Sequence, residues 1–251
     1  MANINEKFYK LATLLIILCF CFVVTACENN NQQVQEQKQQ TQQNQESNMK
    51  PIVAEEKTSQ ISNPFINAKV GDCIKFGNYP QISNGEEKPI EWQVLAIENN
   101  KVLVISRYGL DAGAFNRYND WNSSDIRKWL NGYFYNKAFT HNEKRFINFS
   151  HLSDVGTTDN VFLLSNEEAE KYFTNSDERK CKATGYALKR GASIADSNFD
   201  DGKGYCWWWL RSPFSGSNEL FVYAVDVVGD IDHFCALDDS FVVRPALWIN
   251  L

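Results

Sequence analysis

The residues best spaced for chemistry lie in the stretch from Asp196 to Lys203. Asp196, Asn198 and Asp200 alternate as the first oxygen ligands of a helix–loop–helix calcium loop do. Such a loop also needs a glycine at its sharp turn and a bidentate Glu at its end, and the chain has Asp201 and Trp207 at those positions. What remains is a looser oxygen site from Asp196, Asp200 and Asp201, the one route by which the sequence admits calcium. No other cofactor is indicated, and no Gly-rich phosphate loop is present. His141, His151 and His233 are the only histidines, and none belongs to a Gly-x-Ser-x-Gly elbow or a His-Glu-x-x-His helix. Carboxylates are plentiful, but no spacing singles out a glycosidase pair.

The cysteines offer a second chemistry. Cys19 and Cys21 lie inside an apolar N-terminal run and Cys27 closes it, which leaves Cys73, Cys181, Cys206 and Cys235 for the folded part. Four thiols allow three pairings, and the sequence does not choose among them. None shows the C-x-x-C spacing of zinc or thioredoxin chemistry. They read as buried free thiols or one structural disulfide.

The elements that position these groups centre on Tyr205-Cys206-Trp207-Trp208-Trp209-Leu210-Arg211-Ser212-Pro213, which holds three of the seven Trp residues. As a strand it places Cys206, Trp208 and Leu210 on one face and Trp207, Trp209 and Arg211 on the other. Its aromatics could stack on sugar rings, but beside Arg211 and Pro213 they read mainly as core. Arg211 and Arg244 read as buried anchors bonded to backbone carbonyls or to a carboxylate such as Asp226. Trp209 and Trp248 belong to the same structural set.

The N-terminus is a targeting segment. Lys7 and Lys10 precede an apolar run from Leu11 to Val24, too short for a spanning helix and followed by small residues. From Glu28 to about Gln60 the chain is rich in Gln, Asn, Glu and Lys, too poor in apolar residues to fold. The expected division is a signal peptide over 1–26, a disordered tether over 27–66 and a folded domain over 67–251. The net charge of −6 excludes the basic face that nucleic acid requires.

Within the domain, Ile90, Trp92 and Val94 alternate with polar residues and predict a strand. It continues through Asn99-Asn100, a hairpin turn, into Lys101–Ser106. Ile126, Trp129, Leu130, Tyr133 and Phe134 fall at helical spacing, with Asn122 as N-cap and Asp125 as its N3 partner. Val161–Leu164 reads as a short buried strand. Ser165 and Glu168 form a capping box that opens a second helix. Strands at both ends and helices between them predict an α+β domain with a mostly antiparallel sheet.

Two resemblances carry this further. Val24-Thr25-Ala26-Cys27 resembles the lipobox of bacterial lipoproteins, with Val24 where Leu is commonest. It implies cleavage before Cys27 and a lipid on that thiol, so the membrane is an expected partner and the protein faces outside the cytoplasm. Trp209-Leu210-Arg211-Ser212-Pro213 and Val243-Arg244-Pro245-Ala246-Leu247-Trp248 resemble the signature motifs of the bacterial family called domain of unknown function 6273. Phe76-Gly77-Asn78-Tyr79-Pro80-Gln81, Ile90-Glu91-Trp92-Gln93-Val94-Leu95 and Ile126-Arg127-Lys128-Trp129-Leu130-Asn131 extend the similarity from about Val70 to Ile249. That family is remotely similar to the C-type-lectin-like fold of formylglycine-generating enzymes and retroelement variable proteins. The likeness implies a twisted antiparallel sheet, two main helices and long irregular loops that carry any ligand site. No cysteine matches the enzymes' motif, so no activity carries over. The Glu-Pro-Asn and Gln-Pro-Asp tripeptides of sugar-binding lectins are absent.

The expected function is therefore a lipid-anchored surface protein whose lectin-like domain binds a glycan or protein ligand. The loops at 111–120 and 193–203 are the expected contact surfaces, with Asn119, Asp120, Trp121, Asp200 and Asp201 as contact residues. The alternatives are an enzyme acting on cell-surface polymers through unidentified carboxylates and a structural envelope component.

Overall fold

The computed structural model describes residues 62–195, 204–215 and 219–251. The chain divides into Met1–Ser59 and Gln60–Leu251. Cys27 and nearly all of the expected tether lie outside the described residues, as do Asp196, Asp200 and Asp201. The fold starts before the expected boundary at 67. Phe65 is fully buried, and Asn63 Nδ2 donates to the Asn250 carbonyl at 2.6 Å.

β1 (Cys73–Pro80), β2 (Glu87–Glu98) and β3 (Lys101–Ser106) form an antiparallel meander. The β2–β3 turn is the expected Asn99-Asn100, at φ of 50° and 60°, a left-handed conformation that Asn tolerates. Ile90, Trp92 and Val94 point into the core, and Trp92 Nε1 donates to the Phe76 carbonyl at 2.7 Å. The next two strands, β4 (Tyr108–Gly109) and β5 (Asp111–Ala112), join other sheets.

Helix α1 (Asp125–Trp129) is capped by Ser124, not by Asn122 as its sequence suggested. Asp120 explains the shift, because its carboxylate accepts the Asn122 and Ser123 N–H groups and folds that segment into a turn. The helix widens to a π turn over Leu130–Phe134 and ends as α2 (Tyr135–Ala138). Short α3 (His141–Lys144) precedes the ribbon of β6 (Ser150–Leu152) and β7 (Thr157–Asp159). Val161–Leu164 is fully buried, yet it pairs only through the single bridge between Phe162 and Ala246, so it is core without being a ladder strand. The capping box of Ser165 and Glu168 opens α4 (Asn166–Tyr172) as expected. Then come α5 (Ser176–Arg179), β8 (Cys181–Ala183) and α6 (Gly185–Lys189).

The tryptophan stretch is two strands. β9 (Tyr205–Cys206) pairs with β8, and β10 (Trp208–Pro213) pairs with β11 (Phe221–Val225). Trp207 sits between them, and its carbonyl accepts the Val242 N–H. β12 (Ile231–Cys235), β13 (Val242–Val243) and β14 (Ala246–Asn250) follow. The sheets are β1-β2-β3-β14, β12-β11-β10-β13-β5, β4-β8-β9 and β6-β7. Only β10–β13 and β4–β8 are parallel among the described pairs. The fold is α+β, strand-rich, with curled antiparallel sheets and few helices.

The two arginines do most to tie these pieces together. Arg211 is 2% exposed, and its Nε and Nη2 grip the Asp154 carboxylate at 2.9 Å each. Its Nη1 donates to the Leu163 carbonyl at 2.7 Å and to Glu168 Oε2 at 2.5 Å. Glu168 thus serves the α4 cap and the arginine together. Arg244 donates from Nε to the Ser106 carbonyl at 2.9 Å and from Nη1 to the Arg179 carbonyl at 3.3 Å. Asp226 reaches neither arginine. Its Oδ1 accepts the N–H groups of Val228 and Asp230, because a carboxylate at the start of a tight turn is captured by the turn's own backbone. Replacing Arg211 by Ala strands Asp154 and Glu168 and should cost about 3–5 kcal/mol. Urea unfolding should show a lower midpoint at an unchanged slope, and a parent-like midpoint would rule the anchor out.

Candidate functional site

Past β5 the chain leaves the sheet and a cavity of about 200 Å³ opens. Asp111, Ala112, Gly113 and Ala114 form one side, Asp125, Ile126 and Trp129 another, and Arg190 closes the rim just beyond α6. The register places Asp111 opposite Val243 and Ala112 opposite Val242, so β13 holds this wall in place.

Asp111 is the floor, at 5% exposure. Its Oδ2 accepts the Tyr79 hydroxyl at 2.7 Å, and its Oδ1 accepts the Ala112 N–H at 2.8 Å and Arg190 Nε at 3.1 Å. Three donors, one of them charged, satisfy the buried carboxylate. Burial, then the charge and hydrogen bond of Asp111, pushes the Tyr79 phenol far above its usual range, so it stays a donor. The hydrogen bond to Asp111 likewise holds Arg190 above its ordinary value. Tyr79 packs edge-on against Trp129 and Tyr186, with ring centroids at 6.1 and 5.9 Å.

Above this floor, binding capacity is left over. The Arg190 side chain is 56% exposed, and its Nη groups have no partner among the described residues. The Ala114 N–H and C=O make no hydrogen bond among the described residues. Trp129 is half-buried, and its Nε1 has no acceptor among the described residues. Asp125 is exposed beside Lys128 at 3.1 Å. A saturated Asp111 and an open Asp125 are not the pair of opposed environments that acid–base catalysis uses. An indole face, a guanidinium fork and free backbone groups suit a polar ring.

The residues expected at a ligand sit elsewhere. Asn119 ties its loop to the β10–β11 connection, donating from N to the Glu219 carbonyl at 2.8 Å and from Nδ2 to the Phe214 carbonyl at 3.3 Å. Asp120 is exposed but committed to its turn. Hydrogen bonds from Ser123 hold its carboxyl below the usual range. Trp121 is 1% exposed, with Nε1 on Asp159 Oδ2 at 3.1 Å, so it presents no face to a ligand. Aromatic partners bury it, because it packs on Phe115, which in turn meets Trp209. Asp200 and Asp201 are outside the described residues. Trp209 is fully buried, donates to the Gly113 carbonyl at 2.9 Å and stacks on Phe241 at 4.5 Å, so it braces the pocket wall from behind. Trp248 is half-buried and lines a separate groove of about 430 Å³ with Phe149, His151, Glu98 and Lys101. Among the described residues no three His, Cys, Asp or Glu side chains gather as a metal site. No described helix is long and apolar enough to cross a membrane.

Sequence reasoning pointed to the loop at 111–120 but not to Tyr79, Trp129 or Arg190. Trp129 fits the helical core pattern, and nothing in the sequence tells that its ring faces an opening. The Tyr79 phenol sets a pH test. Its folded pKa is raised, so stability is unaffected below the ordinary tyrosine value of 10.0 and falls above it, as the unfolded chain alone ionises. Tyr79→Phe should lower stability by about 1–3 kcal/mol at neutral pH and flatten that alkaline fall. Urea midpoints across the alkaline range would check both, and an unchanged alkaline slope would contradict the assignment.

No curated protein and no solved structure matches the chain. The family model described as Domain of unknown function (DUF6273) matches residues 99–251. The match takes in β3 to β14, Arg211, Arg244 and the whole pocket wall, while Tyr79 and the motifs at 76–81 and 90–95 precede it. The matched stretch is more than half of the 251 residues, and the protein belongs to the DUF6273 family.

Proposed function

We propose that the protein is exported, held to the cell membrane by a lipid on Cys27, and binds a glycan outside the cytoplasm through the pocket beside Asp111. The lipobox-like Val24–Cys27 and the polar stretch after it support the anchor. The fold reads as C-type-lectin-like, a small strand-rich scaffold that leaves long segments free for recognition. The observation that carries the binding role is the convergence of the Trp129 indole, the unpaired Arg190 Nη groups and the unpaired Ala114 backbone over a floor already satisfied. Each of these groups loses partners unless a ligand supplies them. The indole stacks on the CH face of a sugar, and Arg190 and Ala114 address its oxygens. This mode needs no metal, which fits the absence of the lectin tripeptides.

A glycan array followed by calorimetry tests the reading. The parent protein should bind a defined glycan, and a chelator should leave the affinity unchanged. Trp129→Ala and Arg190→Gln should each weaken binding on the order of tenfold, about 1.4 kcal/mol. Arg190→Gln should keep a parent-like unfolding midpoint. Binding that survives both substitutions, or no glycan bound at all, would overturn the proposal.

A further inference from the structure

Two of the four cysteines in the fold face each other. Cys181 and Cys206 are direct partners in the antiparallel β8–β9 pair. Such partners lie about 4.5–5.5 Å apart at Cα, within the roughly 4.4–6.8 Å that a disulfide spans. Both are buried, at 1% and 0% exposure, and the Cys206 thiol donates to the Cys181 carbonyl at 3.2 Å. Cys73 and Cys235 are exposed, on edge strands of two other sheets. Of the three pairings four cysteines allow, geometry favours one.

A second observation concerns charge. The Arg244 guanidinium is 2% exposed, with carbonyls and aromatic faces as its only partners. No carboxylate pairs with it among the described residues. A buried cation without a counter-ion is costly. The groups that can turn anionic within its field are the two sulfurs. Burial alone would push the Cys181 thiol up, yet the hydrogen bond with Cys206 and the Arg244 charge bring it down to about 7. The hydrogen bond to Cys181, then burial, drives Cys206 the other way. One proton is shared between the two sulfurs, and Cys206 keeps it.

We propose that Cys181 and Cys206 form a reactive dithiol, with Cys181 as the attacking thiolate beside Arg244 and Cys206 as the resolving thiol. Its partner is a low-molecular-weight disulfide. The Cys181 thiolate attacks one sulfur of that disulfide, the S–S bond breaks, and one thiolate leaves. Cys206 then loses its proton and attacks the Cys181 sulfur, expelling the second thiol. The protein dithiol is oxidised to a cross-strand disulfide, and one small disulfide is reduced to two thiols. Access comes from the weakness of β9, a two-residue strand whose ladder to β8 can open locally. The bond would fasten β9 to β8 immediately ahead of the Trp207–Trp209 core. This inference stands apart from glycan binding, since neither cysteine lines the pocket.

The test uses the full chain, oxidised glutathione and peptide mass spectrometry after alkylation in denaturant. The parent should yield one cross-linked species joining Cys181 to Cys206, with Cys73 and Cys235 alkylated. Cys206→Ser should trap glutathione on Cys181. Cys181→Ser should leave Cys206 modified at least tenfold less. Full alkylation of Cys181 and Cys206 in the treated parent, or cross-links to Cys73 or Cys235 instead, would overturn the pair. Equal glutathione loading on the two serine variants would overturn the assignment of Cys181 as the attacking group.

Discussion

The buried guanidinium of Arg244 is the constraint from which the rest of the fold can be followed. It cannot be left unpaired, so the carbonyls at the end of β3 and at the end of α5 must come to it. Its flat face lies over Trp208, at 4.8 Å from the ring centroid, and over Phe173, at 5.4 Å. A desolvated cation on an aromatic face contributes about 2 kcal/mol, and each charged hydrogen bond about 1.5–3 kcal/mol. These contacts draw the first meander, the middle helices and the tryptophan strand to one point. They also fix β13, the residues just before Arg244, and β13 sets where Asp111 and Ala112 stand. The pocket wall is therefore positioned by a residue that takes no part in lining the pocket.

Arg211 does similar work by another route. It is paired with carboxylates, and one of these, Glu168, is already the reciprocal partner of the α4 cap. The helix start and the tryptophan strand thus share an oxygen. Asn131 adds a third joint. Its Oδ1 accepts the N–H groups of Asn160 and Val161, and its Nδ2 donates to the carbonyls of Arg127 and Val161. The sequence motifs that looked like signatures turn out to hold joints of this kind. They describe a scaffold, and the chemistry hangs on what the scaffold leaves unpaired.

That distinction explains what could be read in advance. The Asn99-Asn100 turn and the Ser165–Glu168 box were legible because their causes are local: a tolerated left-handed conformation and a side chain within reach of its own helix. Burial of the Trp208–Arg211 stretch was legible because so apolar a run has nowhere else to go. The partners of Arg211 were not, since Asp154 and Leu163 lie 57 and 48 residues away in the chain. Asp226 looked suitable but was captured by its own turn. Trp121 looked like a loop aromatic and is core, because Phe115 and Asp159 close over it. Trp129 carried the opposite error, a helix-pattern aromatic that borders an opening. The pocket's makers come from β1, β5, α1 and the end of α6, and no local pattern announces a meeting of four distant segments.

Equilibrium unfolding of Arg244→Lys against the parent tests this account most directly. Lysine keeps the charge and loses both the fork and the flat face. The account predicts a single transition shifted down by about 3 kcal/mol, on the scale of a broken buried ionic contact. An unfolding curve that overlays the parent's would contradict it, because the strands around the pocket would then be held by something other than this guanidinium.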